Sequence, residues 1–310
     1  MRDCLHIACL GECMVELSGQ PLQRRYGGDT LNTALYMARL LAGSRARVHY
    51  ISALGDDRLS DELIHQWQCE GIEAARVTRL PGTLPGLYLV DVDPQGERSF
   101  LYWRDTSAAR QYFAMETDFS AWLDRGRTDA LYLSGISLAL LPTNRRLALL
   151  DALEGFVAEG GRLWFDNNFR PALWSAQDAR AAHERVLAMA EIALLTLDDE
   201  HQLYGQHTAE EAARRTVALG CSEVVIKQGA RPCLIVTAQR EIEVPAQAPG
   251  KVVDSCAAGD AFAAAYLASR IQGLSAHEAA ANGHCLAATV IGHPGAIIPA
   301  HAMPDISLPR

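Results

Sequence analysis

An α/β fold with a mainly parallel central sheet is what this sequence predicts, on two observations. Short apolar runs of β type recur along the 310 residues, and most are separated by stretches with helical 3–4 spacing. In order, the runs fall at 5–10, 48–54, 130–133, 162–165, 192–195, 223–226 and 233–236. The first helix shows the spacing clearly in Leu31, Ala34, Leu35, Ala38 and Leu41. Asp29 or Thr30 can cap its start, and Gly43 can close its end. A chain of this length buries roughly three quarters of the surface that its unfolded form exposes. No repeat, low-complexity tract or linker divides it, so one domain over 1–310 is expected.

Two segments break the alternation and read as strands outside the parallel core, at 13–18 and 87–104. In the second, Asp93, Pro94, Gln95 and Gly96 make a type I turn with Pro at its second position, so the flanking strands form a hairpin. Apolar and aromatic residues lie on both faces of that hairpin, which a free hairpin cannot hide. One face is therefore expected to cover a pocket as a lid formed by about 12–28 and 86–104. The other meets the core or a partner, with lid-to-lid pairing into a homodimer as the expectation.

Composition removes several function classes. With 37 acidic against 28 basic residues the net charge is −9, and no basic cluster is interleaved with aromatics, so nucleic acid and anionic membrane are repelled. No run reaches the ~18 apolar residues of a membrane helix, and the N-terminal apolar run is too short for a signal peptide. The eight cysteines form no C-x-x-C pair and no zinc spacing. A cytosolic protein with a small-molecule partner is expected.

Residues 252–268, VVDSCAAGDAFAAAYLA, place a strand end, a turn of small residues and a helix in succession. Unpaired backbone N–H groups at a helix start make an anion site. Asp260 fits two roles there, a base that takes a proton from an attacking hydroxyl or a first-turn partner of the helix dipole. For Cys256 to be a nucleophile it needs a nearby His and Asp or Asn, which spacing does not supply. No Walker A loop and no G-x-G-x-x-G is present.

GGDTLN at 27–32 and DSCAAGDAF at 254–262 together resemble the paired signatures of the PfkB family of ribokinase-like carbohydrate kinases. The similarity extends over essentially the whole chain. Further blocks, GECMVELS, LPGLY, LYLSGISLALL, FDNNFRPALW, LTLDDE and PGAIIP, resemble members that phosphorylate a 2-keto-3-deoxy sugar acid. The resemblance implies a ribokinase-like three-layer fold with a small β-sheet lid. It implies transfer of phosphate from ATP, with Mg²⁺, to the 6-hydroxyl of 2-dehydro-3-deoxy-D-gluconate. A kinase of fructose, another ketose or a related keto-deoxy acid is the alternative, and a non-catalytic sugar-acid sensor a third reading.

Residue by residue, the resemblance puts the catalytic base on Asp260 and the anion hole on the backbone of Ala257, Ala258 and Gly259. Gly28, Asp29, Asn32, Tyr88, Tyr102, Arg104 and Arg170 fall on the sugar side, where arginine suits a carboxylate because its fork binds both oxygens. Asn168, Thr196, Lys227, Gly229 and His284 fall on the nucleotide side, and Glu200 and Asp254 near the metal, through water. The sequence departs from the family pattern at four places. Ser255 stands for Thr, Ala257 for the first Gly, Leu197 for the Asn of N-x-x-E, and Pro232 for a second glycine after Lys227.

Overall fold

The computed structural model describes residues 4–19, 21–92, 98–116, 118–124, 126–306 and 308–309. β1 (Leu5–Leu10) leads into β2 (Met14–Ser18) and β3 (Gln23–Gly27), then into α1 (Asp29–Leu40). β4 (Ala46–Leu54), α2 (Arg58–Cys69) and the short β5 (Ile72–Glu73) and β6 (Val77–Arg79) follow. Next come β7 (Gly86–Val92), β8 (Arg98–Trp103), α3 (Ala108–Met115), α4 (Ser120–Leu123), β9 (Ala130–Ser134), α5 (Gly135–Leu140) and α6 (Thr143–Ala158). The alternation continues through β10 (Arg162–Asp166), α7 (Ala176–Leu187), β11 (Ile192–Thr196), α8 (Leu197–Tyr204), α9 (Ala209–Leu219) and β12 (Glu223–Lys227). β13 (Cys233–Thr237), β14 (Glu241–Val244), α10 (Ala258–Ile271) and α11 (Ala276–Val290) complete the larger elements.

The large sheet runs β14-β13-β12-β11-β10-β9-β1-β4-β5, with β6 beside β4. Strands from β4 across to β12 pair in parallel, and β13 and β14 extend the edge antiparallel. β1 shows why both faces must be covered: Ile7 and Cys9 enter one apolar cluster, Ala8 and Leu10 the other. The first cluster includes Leu35 of α1, Leu267 of α10 and Leu286 of α11; the second includes Leu149 of α6, Val186 of α7 and Ala212 of α9. Three layers result, as expected. α10 is buried from Ala261 to Ser269 and packs between α1 and α11, so its alanines permit close approach on both sides.

A separate sheet, β3-β2-β7-β8, is built by the two segments that break the alternation. The turn at 93–96 lies outside the described residues. Tyr88 stands opposite Tyr102 and Val90 opposite Phe100 on one face, while Leu89–Leu101 and Leu87–Trp103 pair on the other. Four strands have no counterpart in the runs read from the sequence: β3, β5, β6 and β14. β5 and β6 are too short for periodicity to register, and β3 is a polar, largely exposed edge. Among the described residues no helix is long and apolar enough to cross a membrane.

Candidate active site

The parallel strands end at one edge of the sheet, where crossover connections leave a crevice. A cleft of about 610 Å³ opens there. Asp166 ends β10, Thr196 β11 and Lys227 β12, and all three line the cleft. The start of α1 supplies Gly28, Asp29 and Asn32, the loop after β10 supplies Asn168 and Arg170, and the small sheet supplies Tyr88, Phe100 and Tyr102. The start of α10 closes the wall with Ala257, Ala258, Gly259 and Asp260.

α10 begins without a side-chain cap, and its N-cap residue Ala257 has φ 58°. A left-handed alanine costs about 1–2 kcal/mol, a strain concentrated where the sequence has Ala for the family's glycine. Ala258 N–H makes a long bond of 3.5 Å to Ser255 O, and the N–H groups of Gly259 and Asp260 have no acceptor among the described residues. They are open donors at the helix start, where an anion would be met by the backbone. A Cβ on Gly259 would stand 3.5 Å from Lys227 Nζ, so the ammonium lies beside the same donors.

Asp260 does not cap the helix. Its Oδ2 accepts from Asn32 Nδ2 at 2.8 Å. Burial, followed by the negative charge of Asp29, pushes its carboxyl up to about 8. Asn32 is buried, and its Oδ1 has no partner among the described residues, an acceptor ready for a ligand hydroxyl. Asp29 does not cap α1 either: its carboxylate accepts from Ser134 Oγ and, at 2.7 Å, from Asn168 Nδ2. Gly28 lines the cleft and is also required by its surroundings, because a Cβ there would lie 2.2 Å from the Glu12 backbone oxygen.

On the small sheet, Tyr88 OH donates to the buried Glu16 at 2.5 Å, while Phe100 and Tyr102 are 43% and 53% exposed. Arg104 is buried and ion-paired with Glu12. It sits in an adjoining cavity of about 270 Å³ that shares Gly28, Asp29, Tyr102 and Arg170 with the cleft. Arg170 is half-exposed and 3.6 Å from Asp199.

Besides Arg104, four expected site residues do not line the cleft. Gly229 is in an exposed turn with φ 63°. His284 packs edge-on against Phe262, with ring centroids 5.0 Å apart, and burial lowers its pKa. Glu200 lies behind the wall, accepting from Asn167 at 3.1 Å and paired with Arg215. Asp254 ties its loop together by accepting from the backbone N–H groups of Cys256 (2.9 Å) and Gly295 (2.8 Å). Both acidic residues expected near the metal, through water, thus also hold the scaffold together. Cys256 lines the cleft as part of the same clip.

Sequence reasoning missed Asp166, Asp198 and Asp199, which do line the cleft. Asp166 accepts from Lys227 Nζ at 2.6 Å, and burial raises both its pKa and that of Asp199, the latter to about 6. The available signal was position, since all three follow parallel strands at their C-terminal ends. Among the described residues no group of three or more His, Cys, Asp or Glu is arranged to hold a metal ion. Asp198 and Asp199 nevertheless line the open cleft, where carboxylates suit Mg²⁺, which keeps most of its waters and leans on phosphate oxygens.

A 2-dehydro-3-deoxygluconokinase of Dickeya dadantii (strain 3937) is 47% identical to this chain over 305 residues, covering 96% of it and 98% of the relative. One from Escherichia coli (strain K12) is 44% identical over 304 residues, with coverage of 96% and 98%. Among solved structures, a PfkB protein from Polaromonas sp. JS666 superposes with a TM-score of 0.80 at 26% identity, over 93% of this chain and 96% of that one. The family model for pfkB family carbohydrate kinases matches residues 5–303, and the chain belongs to that family.

Proposed function

We propose that this kinase transfers the γ-phosphoryl group of ATP to the 6-hydroxyl of 2-dehydro-3-deoxy-D-gluconate, giving 2-dehydro-3-deoxy-6-phospho-D-gluconate. The observation that carries the reading is the start of α10, where Asp260 faces the cleft beside two open backbone N–H groups. As the bond from O6 to phosphorus forms and the bond to ADP breaks, the O6 proton passes to Asp260. Asn32 holds the carboxylate in place for that transfer. Charge on the transferring oxygens is met by the N–H groups of Gly259 and Asp260 and by Lys227, donors set before the reaction begins. Asp198 and Asp199, which line the cleft, would hold Mg²⁺ through its waters, and the ion would supply further neutralisation of the phosphates. Arg170 and Arg104 recognise the acid end of the sugar. Incubation with ATP, Mg²⁺ and the sugar acid should release ADP and yield a product one phosphate heavier, esterified at C6. No ADP release at any Mg²⁺ concentration removes the reading.

The small sheet acts as the lid over the sugar in this account, and its outer face pairs with a second copy. Leu101 and Trp103 on that face are 51% and 58% exposed, unusual for side chains this large. Sedimentation should return twice the 33.7 kDa chain mass, and a monomer at micromolar concentration contradicts the pairing. A cytosolic site of action fits the dependence on ATP and the eight cysteines, none of which is in a disulfide.

A further inference from the structure

Arg104 has three guanidinium nitrogens, and only Nη2 has a partner among the described residues, the Glu12 carboxylate. Nε is buried and unpartnered. Glu12 is itself 2% exposed, and its other oxygen accepts from Ser107 Oγ, the N-cap of α3. One carboxylate, two residues beyond β1, therefore ties the edge of the central sheet to the residue that follows β8 and to the start of α3. Glu12 and Arg104 both line the cavity that also holds Tyr102 and Arg170.

A buried ion pair of this kind is weak evidence for stability, since its desolvation offsets most of its attraction. It also spends the arginine's charge, which is the opposite of what long-range attraction of an anion requires. What the pair does supply is orientation, because a long flexible side chain is fixed before any ligand arrives. We propose that Glu12 is a positioning residue for recognition of the sugar acid. By occupying Nη2 it leaves the Nε and Nη1 donors of Arg104 for oxygens at the carboxylate end of the substrate. This rests on the sugar-acid kinase reading.

Glu12→Gln separates orientation from charge by the sign of its effect. If Glu12 acts only by charge, removing it leaves Arg104 more attractive to an anion and KM for the sugar acid falls. If it positions Arg104, that KM rises about tenfold or more, while kcat and the KM for ATP change less than about threefold. In a double-mutant cycle with Arg104→Lys, the second change should add almost nothing to the first. Ser107→Ala, which keeps the charge but frees one Glu12 oxygen, should raise the same KM by a few fold. It decides the matter should Glu12→Gln fail to fold. An unchanged or lowered KM in the folded Glu12→Gln protein overturns the proposal, as does an unchanged KM in Ser107→Ala where only that variant folds. Wild-type protein that turns over no sugar acid would instead sink the kinase reading itself.

Discussion

Asp260→Asn is expected to fold, to bind both ligands, and to lose about 10²–10⁴-fold in kcat, the usual worth of a positioned general base. The amide keeps the size and can still meet Asn32, so the loss isolates proton acceptance. The wild-type profile should carry the same signature. A base whose pKa stands at about 8 in the free protein makes kcat/KM rise as pH goes from about 6 to about 8 and level off beyond. A profile flat across that range contradicts the assignment, as does wild-type turnover by the variant.

The same substitution carries an opposite consequence for stability. The folded pKa of Asp260 lies above the ordinary carboxylate value, so its contribution is fully present below pH ~4 and is lost as pH rises through about 8. Asparagine has no charge to bury. Its unfolding free energy should therefore exceed that of the wild type on the alkaline side. The gain is of order 1–3 kcal/mol once water in the open cleft is allowed for. Urea unfolding at about pH 6 and about pH 9 measures it, and a variant less stable at the higher pH would contradict the electrostatic account.

Lys227→Met should have the largest effect on the fold. Lys227 and Asp166 are both buried and paired at 2.6 Å, so removing the ammonium leaves a carboxylate in a low-dielectric wall without its counter-charge. Breaking such a pair costs about 3–5 kcal/mol. Asp166→Asn added to Lys227→Met should recover most of that loss, because no charge then remains to be compensated. Turnover should stay low in both, since the ammonium also lies beside the open donors at the start of α10. A single variant destabilised by less than about 1 kcal/mol would mean that water reaches Asp166 and screens it.

How much of this was legible in the sequence follows from what periodicity and motifs encode. Apolar runs located β1, β4 and β9 to β13 of the buried sheet, and the interruption at 13–18 and 87–104 marked the small sheet of a ribokinase-like fold. β3 escaped because Gln23, Arg24 and Arg25 are polar on an edge facing water. The paired signatures led to Asp260, Asn32 and Asp29: Asn32 holds the Asp260 carboxylate, Ser134 and Asn168 hold that of Asp29, and Thr33 Oγ1 between them lies within hydrogen-bond distance of the backbone oxygens of both aspartates. Glu200 and Asp254, which the resemblance put near the metal through water, have side-chain partners that no motif in the sequence displays. Glu12 and Glu16 stood in a quoted block without a role, because only the folded small sheet brings Arg104 and Tyr88 to them.

The central claim, a kinase selective for a sugar acid, is tested most directly by comparing kcat/KM across a panel of sugars under one ADP-release assay. A site built to bond a carboxylate rejects substrates that lack it by about 10⁴-fold, because its buried donors are then left unpaired. The account predicts that 2-dehydro-3-deoxy-D-gluconate exceeds fructose and ribose by a factor of that order. Equal or greater efficiency with a neutral ketose would contradict it.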